Sequence, residues 1–295
     1  VYDPFFLFVI KISDYLNTTV RIVKTLLIIF IFCLLTAFTQ IGGIIYLVSF
    51  ATHRYIRRGT PNKWLQQALK FGSFLLLYLL ATFLIVPLIA PLFGRVPLPL
   101  SETDHLKPVN RLTCLLNRNY VRPELKDAAF SVAEQLNKQY PGTIINYLDA
   151  CFPFINKFPL LPHLSHNDGK KLDLAFYYID SRTGKASNKV PSAIGYGISE
   201  MPRPGEINTA DLCRQKGYWR YSMLTKIVPQ GNKIHFTFDS ARTKTLVNLF
   251  AAQPAIGKIF IEPHLKIRLN LTTPKIRFHG CGAVRHDDHL HVQLK

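Results

Sequence analysis

Two stretches of this 295-residue chain depart from the mixed apolar and polar pattern of the rest. Thr25 to Thr52 runs 28 residues without Asp, Glu, Lys, Arg or His, and Phe71 to Gly94 runs another 24. Leu26 to Leu35 and Leu75 to Leu80 are apolar all round, so neither run has the polar face of a helix lying on a soluble core. A helix needs about 20 apolar residues to cross a hydrocarbon core of roughly 30 Å, and the pattern predicts two transmembrane helices within residues 25–94. Both runs exceed the roughly 7–15 residues of a signal-peptide core, and no small-residue cleavage pattern follows either, so the expectation is a permanent anchor. Pro87 and Pro91 are expected to kink or end the second helix.

Charge orients this hairpin. The connector His53 to Lys70 carries Arg54, Arg57, Arg58, Lys63 and Lys70 and no acid, and positive loops stay in the cytoplasm. Residues 1–24 and everything after Gly94 are then expected on the other side of the membrane, outside the cytoplasm. Residues 95–111, with three prolines, read as a linker, and residues 112–295 as the extracytoplasmic domain.

Within that domain the periodicity changes. Leu125, Ala128, Ala129, Val132, Ala133 and Leu136 follow a 3.6-residue period after Pro123 and stop at Pro141-Gly142, which predicts a helix. Thr143 to Tyr147, Leu172 to Ile179, Lys233 to Phe238, Lys258 to Glu262 and His289 to Lys295 read as strands. Asp239 is placed to cap a helix through Phe250, and Ser181 to Arg220 is a long irregular insertion. Strands with segregated helices predict an α+β domain, with an antiparallel or mixed sheet and flanking helices, behind two transmembrane helices.

Composition narrows the chemistry. Residues 95–295 hold 28 Lys and Arg against 16 acids, a balance that suits an anionic polymer, nucleic acid or acidic lipid alike. Neither a basic stripe with stacking aromatics nor a helix-turn-helix is present, so no nucleic-acid partner is expected. Glycine-rich phosphate loops are absent. Cys114, Cys151, Cys213 and Cys281 are expected to form two disulfides in an oxidising space, with three possible connectivities, while Cys33 lies in the first apolar run.

The histidines carry the site. His163-x-x-His166 is followed by Asp173, and His286-x-x-His289-x-His291 lies near the C-terminus. In a strand, residues two apart share a face, so His289 and His291 oppose Leu290, Val292 and Leu294, and Asp173 opposes Leu172 and Leu174. Gly169 permits a tight bend between His166 and Asp173. With His291 added, two nitrogens and one oxygen suit Zn2+ with an open fourth position for water, whose pKa the metal lowers to about 7. His105, His235, His264 and His279 belong to no motif and are expected to be structural or exposed.

The segments IFIEPHLKI (Ile259–Ile267), HLSHNDGKKLDLAF (His163–Phe176) and HDDHLHVQL (His286–Leu294) resemble the penicillin-insensitive murein endopeptidases. These belong to the LAS metallopeptidases, the group of lysostaphin, D-Ala-D-Ala carboxypeptidase and hedgehog. The resemblance covers about 130 residues of the exported domain and neither the hairpin nor Ser181 to Arg220. It implies His166, Asp173 and His291 as zinc ligands and His163, His286 and His289 as accessory catalytic groups, with His286 or His289 as the proton-transfer residue. It implies a zinc endopeptidase cutting peptidoglycan cross-links, here joined to the membrane anchor that the apolar runs predict, an anchor unlike the soluble enzymes of the family. A D,D-carboxypeptidase of the same group and a zinc-binding, non-catalytic receptor domain are the alternatives.

Overall fold

A computed structural model describes the backbone of residues 4–161 and 163–295, with side chains from residue 18 onward, so part of the expected outer segment 1–24 lies outside the described residues. The chain divides into two compact units, Val1–Phe83 and Leu84–Lys295. The second unit is α+β with mixed sheets, as the pattern predicts.

Two helices are long and apolar enough to cross a membrane, Thr18–Thr39 and Lys63–Phe93. Their bounds differ from the expected ones, because the first apolar run is not a single helix. The helix Pro4–Thr39 ends where Gln40 takes a left-handed φ of 67°, and a second helix, Gly42–Gly59, packs back against it. Thr39 Oγ1 accepts the Gly42 amide at 2.8 Å. A side chain at Gly43 would place Cβ 2.6 Å from the Phe32 carbonyl oxygen, so the glycine pair allows the close return. Asn62 then caps the helix Lys63–Leu80 through the amides of Trp64 and Leu65. Pro87 and Pro91 remove two amide donors, and the helix passes through a π turn at Ala81–Ile85 and a 3₁₀ turn at Ala90–Phe93 before Gly94 ends it at φ 69°.

The main sheet runs in the order Ile276–Arg277, Ile256–Phe260, His289–Leu294, Lys171–Ala175, Ile145–Tyr147, Leu106–Pro108. The outer pairs are parallel and the three inner pairings antiparallel. The helices Pro123–Gln139 and Ser240–Ala252 pack together over one face, with Asp239 accepting the Arg242 amide as the cap of the second. Leu125, Val132 and Leu136 of the first and Leu246, Val247 and Phe250 of the second meet Leu172, Leu174, Leu290 and Val292 in one core. The opposite face of the two central strands is therefore left for polar side chains.

Four expectations change. The strand predicted over Leu172–Ile179 splits after Ala175; Tyr178–Asp180 pairs instead with Ala186–Ser187 and Phe236–Phe238 in a separate three-stranded sheet. The backbone turns here because Phe176, Tyr177 and Tyr178 all enter the core in succession. The strand predicted over Lys233–Phe238 keeps only Phe236–Phe238, after a 3₁₀ turn at Gly231–His235. Of the four cysteines after residue 95, Cys213 and Cys281 form one disulfide, while Cys114 and Cys151 are buried thiols.

Residues 95–111 are not a linker. Val96–Pro97 pairs with Tyr120–Val121, Leu106–Pro108 is a sheet strand, and Leu98 and Leu106 are core residues. Arg95 is only 1% exposed; it donates to Asn156 Oδ1 at 2.6 Å and to the carbonyls of Phe152 and Asn167. It thus ties the domain entry to the segment that leads to His163 and His166. Arg95→Ala, which leaves several buried acceptors without a donor, is expected to lower stability by about 3 kcal/mol. The denaturant midpoint of the full chain in detergent checks this, and an unchanged midpoint would refute the anchoring role.

Candidate metal centre

The antiparallel ladder sets His291 directly opposite Asp173, on the face away from the core. Directly paired residues hold their Cβ atoms about 4.5–5.5 Å apart, close enough for both side chains to reach one point. His166 arrives from the preceding loop. Gly169 turns that loop at φ 75°, its carbonyl accepts the Arg122 amide at 2.8 Å, and the His166 amide donates to His163 O at 2.9 Å.

The three side chains meet. His291 Nδ1 lies 2.8 Å from Asp173 Oδ1, and His166 Nε2 lies 3.2 Å from that oxygen and 3.1 Å from His291 Nδ1. All three residues are buried. His166 Nδ1 lies 2.8 Å from the Ala150 carbonyl, an acceptor only, so Nδ1 carries the proton and Nε2 turns its lone pair to the cluster. A tetrahedral zinc site with bonds of about 2.0–2.1 Å separates its ligand atoms by about 3.3 Å, close to this spacing. Three further buried nitrogens, Nε2 of His163, His289 and His291, have no hydrogen-bond partner among the described residues. Each such orphan costs about 1–3 kcal/mol, so the cluster suits a ligand better than it serves stability. Two nitrogens and a carboxylate oxygen, from two paired strands and the loop before them, fit a divalent metal.

The accessory histidines surround this point. His163 Nδ1 lies 3.2 Å from Asp149 Oδ2 and 3.4 Å from Asp173 Oδ2. His289 Nδ1 lies 2.5 Å from Asp288 Oδ1, its Nε2 points toward Asp173 Oδ2 at 3.7 Å, and the His286 and His289 ring centroids are 4.9 Å apart. Burial pushes the His289 pKa down, but the carboxylates of Asp173 and Asp288 outweigh it and lift the group to about 9. The neighbouring His286 goes the other way, held well below the usual imidazole range by burial and by the charges of His289 and His291. Burial alone would raise the Asp173 pKa; His166 and His289 overcome it and hold Asp173 well below the carboxylate range. All six expected site residues line one cavity of about 370 Å³ with Leu164, Arg220, Met223 and Val284.

His279 also lines this cavity, stacked on Phe260 with ring centroids 4.1 Å apart, so it belongs to the site rather than to the structural set. His264 is structural as expected, with Nε2 on the Glu200 carbonyl at 2.7 Å.

Other groups have no motif to announce them. Tyr196 donates its hydroxyl to Asp173 Oδ2 at 2.8 Å and accepts the Asp149 amide at 3.2 Å, while Arg118 pairs with Asp149 at 2.6 Å. Asp288, which holds His289, is itself fixed by the Gly197 amide at 2.5 Å. Tyr196 and Gly197 come from the irregular insertion. Gly195 and Gly197 flank the tyrosine at φ 81° and 85°, and a Cβ at Gly197 would fall 2.6 Å from Val228 Cγ2. A Gly-Tyr-Gly turn in a long loop is the one signal that could have located them. Glu262, in the resemblance segment, is buried and accepts from Tyr221 Oη at 2.5 Å, Thr209 Oγ1 at 2.6 Å and the His286 amide at 3.2 Å.

No protein-family model matches the chain, and no curated protein matches it.

Tyr196→Phe, which frees one Asp173 oxygen and strands the Asp149 amide, is expected to weaken zinc binding by about 10–100-fold. His166→Ala is expected to abolish it. Competition with a chromophoric chelator measures both, and equal affinity of Tyr196→Phe and the parent would refute the supporting role.

Proposed function

We propose that this chain is a membrane-anchored zinc endopeptidase that hydrolyses amide bonds in peptidoglycan cross-links. The observation that carries the reading is the convergence of His166 Nε2, Asp173 Oδ1 and His291 Nδ1 at one buried point in the wall of a cavity, with spare imidazoles beside it. The order and spacing of the three segments that resemble the murein endopeptidases support it. The anchor is the pair of apolar helices, the acid-free connector His53–Lys70 favours a cytoplasmic loop, and the Cys213–Cys281 bond suits an oxidising space outside the cytoplasm.

His166, Asp173 and His291 would hold the zinc. What the metal supplies when bound is polarisation of the scissile carbonyl and a water acidic enough to attack it near neutral pH. The rest falls to the chain's own side chains. His289, with Nδ1–H given to Asp288, keeps a proton at Nε2 for the departing amine. His286, beside it and without excess negative charge around it, takes a proton from the nucleophile. Two neighbouring imidazoles pushed in opposite directions are suited to the acid and base halves of one hydrolysis. His163, its ring oriented by Asp149, would help position the substrate in the cavity.

Full-length protein in detergent is expected to carry close to one zinc per chain, His291→Ala none. With purified sacculi it is expected to open cross-links, read by mass spectrometry as a shift from cross-linked to uncross-linked muropeptides after a subsequent muramidase digest, in a reaction stopped by chelator, restored by zinc and absent in His166→Ala. Loss of terminal D-Ala with cross-links intact would turn the reading to a carboxypeptidase. Intact sacculi with zinc bound would turn it to a non-catalytic zinc domain.

A further inference from the structure

The domain has a second large depression, of about 470 Å³, between the edge strand Leu106–Pro108, its neighbour Ile145–Tyr147 and the small sheet. None of the six histidine and aspartate residues of the metal centre lines it. Its charge is unbalanced: Lys107, Arg182 and Lys189 face it with a single carboxylate, Asp180. Asp180 Oδ1 is occupied by the amides of Arg182 at 2.9 Å and Thr183 at 3.3 Å. Arg182 Nε meets that same oxygen at 3.7 Å and Lys107 meets Glu102 at 3.8 Å, while Lys189 has no acid partner among the described residues, so Lys189 and the loosely held Lys107 carry the free positive charge of the groove.

The groove is held in shape by its own backbone. Asn188 Oδ1 accepts the Ile144 amide at 3.1 Å, its Nδ2 donates to the Gly142 carbonyl at 2.8 Å, and Asn146 Nδ2 donates to Asn188 O at 2.8 Å. Val190 and Phe236 add apolar wall. A rigid cationic trough with an apolar side is complementary to a polymer that carries carboxylates on an otherwise neutral chain.

Its connection to the metal centre suggests which polymer. Ser192 and Ala193 line the groove, and the same loop continues to Tyr196, whose hydroxyl sits on Asp173. Three residues of extended chain span at most about 11 Å, so the groove's edge lies within that distance of the metal-side tyrosine along the backbone. We propose that this groove is a second binding site, taking a carboxylate-bearing stretch of the same wall polymer whose cross-link enters the metal cavity. The polymer's identity rests on the peptidase reading; the anionic character of the ligand does not.

The test uses full-length protein in detergent and binding alone. The probes are soluble, uncross-linked glycan strands bearing stem peptides, with chitohexaose as the neutral control and a single-stranded oligonucleotide as the phosphate control. Lys107→Glu with Lys189→Glu is expected to weaken strand binding at least about tenfold at low salt, through like-charge repulsion. Lys107→Arg with Lys189→Arg should keep it. Thermal unfolding and zinc content report whether each variant is folded; should the double reversal unfold, Lys189→Gln, at an exposed position, decides in its place. Strand binding indifferent to these changes would overturn the proposal, as would chitohexaose binding as tightly as the strands. An oligonucleotide that displaces strands through the same lysines at lower concentration would overturn the choice of polymer. Failure of sacculus digestion with charge-dependent strand binding intact would sink the peptidase reading and leave the groove standing.

Discussion

The pairing of His291 with Asp173 across one antiparallel ladder is the constraint on which the rest of the domain depends. Side chains alternate along a strand, so a one-residue slip of His289–Leu294 against its partner would turn His289 and His291 into the core and Leu290 and Val292 out of it. The register that builds the site is thus the register that buries the apolar face. Two helices on that face fix it, and the polar face draws its stability from them. Buried imidazole Nε2 atoms without a partner among the described residues are tolerated because the sheet beneath them is over-determined by packing.

Around that pair the irregular insertion does more than fill space. Tyr221 and Thr209, both near its far end, converge on Glu262, the same carboxylate that accepts the His286 amide. The helix Thr209–Gln215 is also bonded through Cys213 to Cys281, in the loop that carries His279 and His286. The Gly-Tyr-Gly turn reaches the site from the other direction, touching Asp173 and Asp288. Side chains that hold the ligands therefore come from a segment with no regular period.

Local periodicity made much of this legible. The helix Pro123–Gln139 buries the six apolar positions its spacing selects, and the alternation of His289 to Leu294 separates site from core as expected. His166, Asp173 and His291 could be singled out because His-x-x-His and His-x-His spacings and strand alternation are visible in the chain, and the three side chains do converge. Arg95 left no such trace: an arginine beside three prolines looks like a solvated linker, and only the distant carbonyls of Phe152 and Asn167 make it a buried anchor. Asp149 and Tyr196 are single residues whose roles depend on non-local contact. The break at Gln40 was hidden because an apolar run reports hydrophobicity, whereas a left-handed residue and two close-packed glycines report direction. Cysteine counting implied two bonds where Cys114 lies against Tyr147 Oη at 3.2 Å, packed in the core as an ordinary apolar side chain.

The one sulfur bridge has a temporal side. Cys281 directly precedes the cavity-lining Gly282, Ala283 and Val284, and its bond to Cys213 ties that stretch to the helix Thr209–Gln215. Thiols stay reduced in a cytoplasm and oxidise in an exported space. On the proposed outward orientation, a newly made molecule would hold its histidine cluster before that tie is in place, and oxidation after export would serve as the clock.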